Sequence, residues 1–193
     1  MTLPIPYYDD GNGIQIYHAD CRDILPLLEP GSVDLVLTDP PYSHRHMDGG
    51  GFASARRFYR EGALDGLNDF SLQDYAPLLI AAAPMLIAFH SRDLILEYAA
   101  LAKCSGRHYD LHAWHKINAI PFTANTWKSD LEYIALLWSR KPGWRQMAQH
   151  FHSKLYQSSI NTDASHPAAK PLPLLSKYIQ VLDAQLILDP FMA

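Results

Sequence analysis

The sequence has little cysteine and no long apolar run. Cys21 and Cys104 are its two cysteines among 193 residues, too few and too far apart for a disulfide framework or a thiolate metal site. No uninterrupted apolar stretch reaches the roughly 18 residues that span a bilayer, and the N-terminus lacks the basic start and apolar centre of a secretory signal. We therefore expect one globular domain, cytoplasmic, with reduced thiols and no membrane contact.

Metal-binding patterns are also scarce, although the sequence contains ten histidines. His108, His112 and His115 lie close together in the sequence, but in the strand predicted there they do not all share a face. No acidic or thiol partner completes a ligand set around them. We expect no metal.

The formal net charge of the chain is −4 at pH 7, but basic and acidic residues are unevenly distributed along the sequence. Residues 103–170 contain nine Lys and Arg against four acids, which leaves seven basic and sixteen acidic residues elsewhere. A basic segment suits a polyanion such as DNA, because each neutralised phosphate releases counterions. Ordinary solvated side chains would give the same count, so charge alone leaves both interpretations open.

Apolar patterning alternates between strands and helices. Helices are predicted at 22–28, from 71 past 79, at 91–102 and at 171–182, and strands at 14–18, 33–38, 85–89, 109–116, 131–138 and 186–188. The strands 109–116 and 131–138 are expected to form a hairpin at one edge. Such alternation predicts an α/β fold: an open, mostly parallel, Rossmann-like sheet with helices on both faces and ligands at the carboxyl ends of the strands. Between these elements, 43–70 is predicted to be a mobile loop and 139–165 a polar, turn-rich segment.

The most informative segment follows the strand at 33–38 and reads Asp39, Pro40, Pro41, Tyr42. An exocyclic amino group on a base is a poor nucleophile, because its lone pair is delocalised into the ring. The Asp39 carboxylate and the Pro40 carbonyl can each accept one amino hydrogen and so return electron density to nitrogen. Pro41 fixes the backbone, and Tyr42 can stack on a base flipped out of a duplex. The alternative is a structural turn, with Asp39 as a cap and Tyr42 in the core.

Three further segments, in this order, make the chain resemble the S-adenosylmethionine-dependent DNA amino methyltransferases of the beta arrangement, whose catalytic motif precedes the cofactor motif. These segments are 8–21, 166–171 and 189–191. The resemblance covers nearly the whole chain and implies a single catalytic domain over 1–193, with 139–165 as a short target-recognition region. It also implies catalytic roles for Asp39, Pro40, Pro41 and Tyr42.

S-adenosylmethionine is the cofactor that this resemblance implies, and DNA the partner. The residues implied at the cofactor are Asp20, Cys21, His166, Lys170, Pro171, Asp189, Pro190 and Phe191. Those implied at DNA are Arg56, Arg57, Arg140, Lys141, Arg145 and Lys154. The segments 114–121 and 132–134 resemble later core strands of the family, for which we expect edge-strand packing rather than direct catalysis. Neither a homodimer nor a partner restriction nuclease is decided by the sequence.

In the family, a glycine turn and a helix follow the segment that matches 189–191, whereas this sequence reads Met192, Ala193 and ends. We therefore expect a cofactor motif truncated at 193, a C-terminally incomplete fold and impaired activity of this form. An aspartate first in the motif favours methylation of the N6 amino group of adenine. The alternatives are N4-cytosine methylation, because the same acceptors suit any exocyclic amine, and an inactive nucleic-acid-binding remnant.

Overall fold

The computed structural model describes residues 2–41, 71–119, 127–139, 153–160, 169–182 and 184–192. Within these ranges the strands are β1 (Tyr8–Asp9), β2 (Gln15–Ile16), β3 (Leu35–Thr38), β4 (Met85–His90), β5 (His108–Lys116), β6 (Leu131–Trp138), β7 (Leu155–Ser158) and β8 (Ile187–Leu188). The helices are α1 (Cys21–Ile24), α2 (Leu72–Ala82), α3 (Ile95–Cys104) and α4 (Leu172–Leu182), with 3₁₀ turns at Leu25–Leu27 and Arg92–Leu94. No helix in these ranges is both long and apolar enough to cross a membrane. The predicted loop at 43–70 lies outside them.

Six of the described strands form one sheet in the order β7-β5-β6-β4-β3-β8. β3 pairs in parallel with β4 and β8, and β5 pairs in parallel with β7. β6 is antiparallel to both β4 and β5, so five strands run in one direction and β6 runs against them. The prediction of a mostly parallel sheet is confirmed.

Two details of the predicted sheet were wrong. The strand expected at 14–18 does not enter the six-stranded sheet; β2 pairs with β1 in a separate two-stranded hairpin. Its turn is set by Asp10, whose Oδ1 accepts the backbone N–H groups of Asn12 and Ile14. The β5–β6 pair is present, but it is not at an edge, because β7 pairs with β5 outside it. β7 falls in the segment predicted to be turns, since four residues of mixed polarity carry little strand signal.

The sheet is buried because helices cover both of its faces. Alternate residues of β3 and β4 point to opposite sides. Val36 and Leu86 pack with α2 and α3 in one apolar cluster, whereas Leu35 and Ile87 pack with α4 in the other. Every residue of β3 and β4 is therefore buried, as expected for strands inside a covered parallel sheet.

Local signals in the sequence position the helix starts. Asp20 caps α1 by accepting the N–H of Arg22 at 2.8 Å. Ser71 begins α2, and its N–H donates to the Asp74 carboxylate at 2.9 Å. α4 begins directly after Pro171, whose fixed φ suits the first turn of a helix. These starts were predicted, and they place 20–21 and 170–171 at helix starts, whereas 39–41 directly follow β3.

Candidate active site at the carboxyl edge of the sheet

The candidate site begins where β3 and β8, two parallel neighbours, both end. Thr38 is the last residue of β3, and Asp189 follows the last residue of β8. The Thr38 hydroxyl is buried and donates to Asp189 Oδ1 at 2.7 Å. The same oxygen accepts the N–H of Phe191 at 3.1 Å. The predicted catalytic segment is therefore tied directly to the predicted cofactor segment.

Asp39 follows Thr38 and carries the carboxylate that the sequence assigns to the amino group. Its Oδ2 accepts a hydrogen bond from the Lys170 ammonium. Its Oδ1 is buried and has no hydrogen-bond partner in the described part of the chain. Burial raises the pKa of the Asp39 carboxyl, and the Lys170 charge opposes that rise. One oxygen is thus held by Lys170, and the other is a buried acceptor that the described residues leave without a donor.

Lys170 connects Asp39 to a second carboxylate. Its Nζ lies 3.1 Å from Glu132 Oε1, and Glu132 Oε2 lies 2.6 Å from Lys116 Nζ. The Lys170 and Glu132 side chains are only 8% and 7% exposed. Desolvation lowers the pKa of Lys170, but the Glu132 and Asp39 charges outweigh it, so the pKa is raised and the ammonium stays charged. The result is a partly buried row of alternating charges.

Sequence reasoning did not find this row. Glu132 and Lys116 lay in segments expected to pack at an edge, and Lys170 was assigned to the cofactor. The signal for this row is the direction of the strands. Glu132 is near the start of antiparallel β6, and Lys116 ends β5, so both lie at the carboxyl edge of the parallel strands. That signal becomes readable only when the direction of β6 is known.

The predicted cofactor residues that the structure describes converge in part. Phe191 packs edge-to-face on Tyr75, with ring centroids 5.0 Å apart, and Cys21 packs against the same apolar cluster. Burial raises the pKa of Tyr75 to about 12, and the nearby Cys21 and Asp39 groups add to that rise. Tyr75 on α2 therefore packs behind Phe191 and is close enough to Asp39 to feel its charge, and the motif analysis did not include it.

The Asp20 carboxylate is already engaged by its own helix. Besides capping α1, it forms an ion pair with Arg22 at 2.6 Å, and this contact lowers the pKa of Asp20 to about 2. The acid is therefore ionised at neutral pH. Any ligand hydroxyl that reaches it has to share it with Arg22.

The remaining predicted residues are distributed as follows. Pro40 is buried and Pro41 partly buried beside Asp39, and Pro171 and Pro190 stand next to Lys170 and Asp189. Lys154 forms an ion pair with Asp110 at 2.6 Å near the opposite end of β5 from Lys116, away from the carboxyl edge. The residues that lie outside the described ranges are Tyr42, His166, Arg56, Arg57, Arg140, Lys141 and Arg145.

The three histidines on β5 have separate surroundings. His108 stacks on the Trp138 ring. His112 Nδ1 lies 3.0 Å from the Tyr178 hydroxyl, and His115 Nδ1 lies 3.0 Å from the Gln157 amide. In the described ranges, no group of three or more His, Cys, Asp or Glu side chains is arranged to hold a metal ion.

Comparisons with known proteins agree with this architecture, although no family model matches the chain. Type II methyltransferase M2.MboI of Moraxella bovis is 26% identical over 216 residues, an alignment that covers 96% of this chain and 78% of that protein. The structure of the M1.HpyAVI–SAM complex superposes with a TM-score of 0.59 and 25% identity, over 92% of this chain and 82% of that one.

PvuII DNA methyltransferase, described as cytosine-N4-specific, superposes with a TM-score of 0.63 over 95% of this chain and 76% of that one. Its sequence identity is 16%, so this likeness concerns the fold alone. Sequence and fold agree. The resemblance of this chain to the S-adenosylmethionine-dependent DNA methyltransferases is thereby confirmed.

Proposed function

We propose that this protein transfers a methyl group from S-adenosylmethionine to the N6 amino group of an adenine flipped out of DNA. The observation that carries the proposal is the state of Asp39: a partly buried carboxylate at the carboxyl edge, with Oδ2 held by Lys170 and Oδ1 without a partner in the described ranges. A buried acceptor without a donor is costly to maintain, so Oδ1 at this edge of the sheet is suited to a donor that a ligand supplies. An exocyclic amino group supplies one.

The protein's contribution to the reaction is orientation and charge. Asp39 Oδ1 accepts one amino hydrogen and the Pro40 carbonyl accepts the other, which concentrates the lone pair on nitrogen and directs it to the methyl group. Tyr42 stacks on the flipped base. After transfer the nitrogen carries an excess proton, and the ionised Asp39 is the nearest group able to accept it.

S-adenosylmethionine supplies, when bound, a methyl group on a positively charged sulfur that leaves as a neutral thioether. The described residues fit such a ligand, because ionisable carboxyls at Asp20 and Asp189 suit its positive charge and hydroxyls. Cys21 and Phe191, both partly buried, offer apolar surface to an adenine ring. Lys170 is directed to Asp39 rather than to this side, so we now assign it to the base-binding half of the site.

DNA reaches the site along the carboxyl edge, where the Asp39 side chain is 33% exposed. We propose that the basic segment 139–165 and the arginines of 43–70 contact its backbone, chiefly Arg140, Lys141, Arg145, Arg56 and Arg57. Lys154 is the weakest of the predicted contacts, because its charge is compensated by Asp110 and it lies away from this edge.

Adenine is proposed over cytosine because the motif begins with aspartate. The chemistry of the two acceptors suits either amine, so the base must be identified directly. Expression of the gene in a methylation-free host, followed by long-read sequencing, reads both base and target sequence. N6-methyladenine at one motif supports the proposal, and N4-methylcytosine would move the activity to the other base. Unmodified DNA together with retained DNA binding would identify a nucleic-acid-binding remnant.

A further inference from the structure

The alternating charges behind Asp39 cross four elements of the fold. Lys170 precedes α4, Glu132 is on β6, Lys116 ends β5, and Asp39 follows β3. Because these elements are far apart in sequence, the contacts form only in the folded chain. Lys170 is the central member, since it contacts both Asp39 and Glu132.

The geometry of Lys170 is fixed on several sides. Its ammonium is shared between two carboxylates and lies 5.3 Å from the centre of the Phe89 ring. Glu132 is itself held from the other side by Lys116 at 2.6 Å. A lysine on a long flexible stem would otherwise sample many rotamers. Here it contacts Oδ2 of Asp39, and the buried Oδ1 has no hydrogen-bond partner among the described residues.

We propose that Lys170 and Glu132 are positioning residues for the methyl transfer: Lys170 holds one oxygen of Asp39 so that the other receives the target amino group, and Glu132 holds Lys170 in place. This inference rests on the proposed function for its role in catalysis. It assigns to Lys170 a task on the base side of the site that motif order alone gave to the cofactor.

The charge state of Asp39 follows from the same contacts. Several other titratable groups act on this row, namely Asp189 after β8, His90 on β4, Tyr75 on α2 and Tyr98 on α3. Burial and the acids Glu132 and Asp189 raise the pKa of Asp39, and Lys170 is the group that lowers it. Removal of Lys170 therefore favours the protonated form of Asp39. A protonated carboxyl oxygen cannot accept the amino hydrogen.

The experiment is a titration of Asp39 in the full chain labelled with ¹³Cγ-aspartate, with the Asp39 signal identified by its loss in Asp39→Asn. Lys170→Met should move the midpoint of Asp39 upward, and Lys170→Arg should keep it near the wild type. Glu132→Gln, which preserves shape and an acceptor for Lys170, should move it downward, because one negative neighbour is lost. Arg92→Met, an exposed side chain paired with Asp93, is the control that should leave it unchanged.

The titration needs no substrate, so it is independent of the proposed activity. An unchanged or lowered midpoint in Lys170→Met would overturn the inference even if the wild type methylates DNA. If Lys170→Met does not fold, Lys170→Gln gives the same test, and an unchanged or lowered midpoint of Asp39 in that variant overturns the inference. An upward midpoint in Lys170→Met together with a wild type that methylates no DNA would instead refute the function alone.

Single-turnover rates then test the catalytic consequence. Lys170→Met should lose rate at low pH and recover it as the pH rises through the new Asp39 midpoint. A purely structural loss would lower the rate equally at every pH, and that result would also contradict the positioning role.

Discussion

The hydrogen bond from Thr38 to Asp189 is the direct link between the catalytic and cofactor segments, and Thr38→Val removes it while nearly preserving shape. The hydroxyl is buried and 2.7 Å from Asp189 Oδ1. A hydrogen bond to a charged group contributes about 1.5 to 3 kcal/mol to stability. Asp189 is exposed and keeps a second donor in the Phe191 N–H, so we expect the low end, about 1.5 kcal/mol.

Urea unfolding followed by circular dichroism measures this loss. With a slope of about 1 to 3 kcal/mol per molar urea, the midpoint should fall by about 0.5 to 1.5 M without a change in slope. The melting temperature should fall by about 3 to 6 °C.

A double-mutant cycle with Asp189→Ala isolates the pair from the other effects of each substitution. Thr38→Val should cost little in the Asp189→Ala background, because its partner is already absent. The expected coupling is about 1.5 kcal/mol, whereas independent sites would add within about 0.5 kcal/mol. Additivity within that margin would refute the link between the two segments.

Three further predictions concern the apolar core at α4, the partly buried histidine His112 on β5 and the base-stacking residue Tyr42. Leu174 is fully buried under the sheet, so Leu174→Ala should cost about 2 to 5 kcal/mol in urea unfolding, against less than about 0.5 kcal/mol for Leu172→Ala at an exposed position. Burial lowers the pKa of His112 to about 4, whereas an unfolded histidine titrates near 6.5. The unfolded chain therefore binds this proton first, and the stability of the folded protein falls as the pH drops below about 6.5. In melting experiments at several pH values, His112→Gln should make the melting temperature depend less on pH in this range. Tyr42→Ala should weaken binding to DNA with an unpaired target base by about 1 to 3 kcal/mol in fluorescence titrations, and Tyr42→Phe should not. Equal losses in the two variants would indicate the hydroxyl instead of the ring.

Much of the fold could be predicted because the decisive signals are local. Continuous apolar runs at β3 and β4 indicate strands that are buried on both faces, and the caps at Asp20 and Ser71 set helix starts. β2 and β7 could not be placed in this way. Each is four residues or shorter, and its partner is chosen by long-range packing rather than by its own pattern.

The candidate site was predicted only as far as its motifs extend. Asp39 and Asp189 were expected at the edge because both follow strands, and Thr38 brings them together. Glu132 and Lys116 lie in the segments that resemble later core strands of the family, for which edge-strand packing was expected. Their role depends on β6 running antiparallel, which is a property of the assembled sheet. It also depends on the ion pair between Glu132 and Lys170, which are 38 residues apart in the sequence.

The central claim is that Asp39 activates an amino group in DNA, and the most direct measurement uses purified protein, radiolabelled S-adenosylmethionine and unmethylated DNA. Label incorporation and the identity of the modified nucleoside are followed for the wild type and for Asp39→Ala, with cofactor binding measured separately by calorimetry. The account predicts labelled N6-methyladenine from the wild type, loss of transfer in Asp39→Ala and nearly unchanged cofactor affinity. Substantial transfer by Asp39→Ala would contradict it.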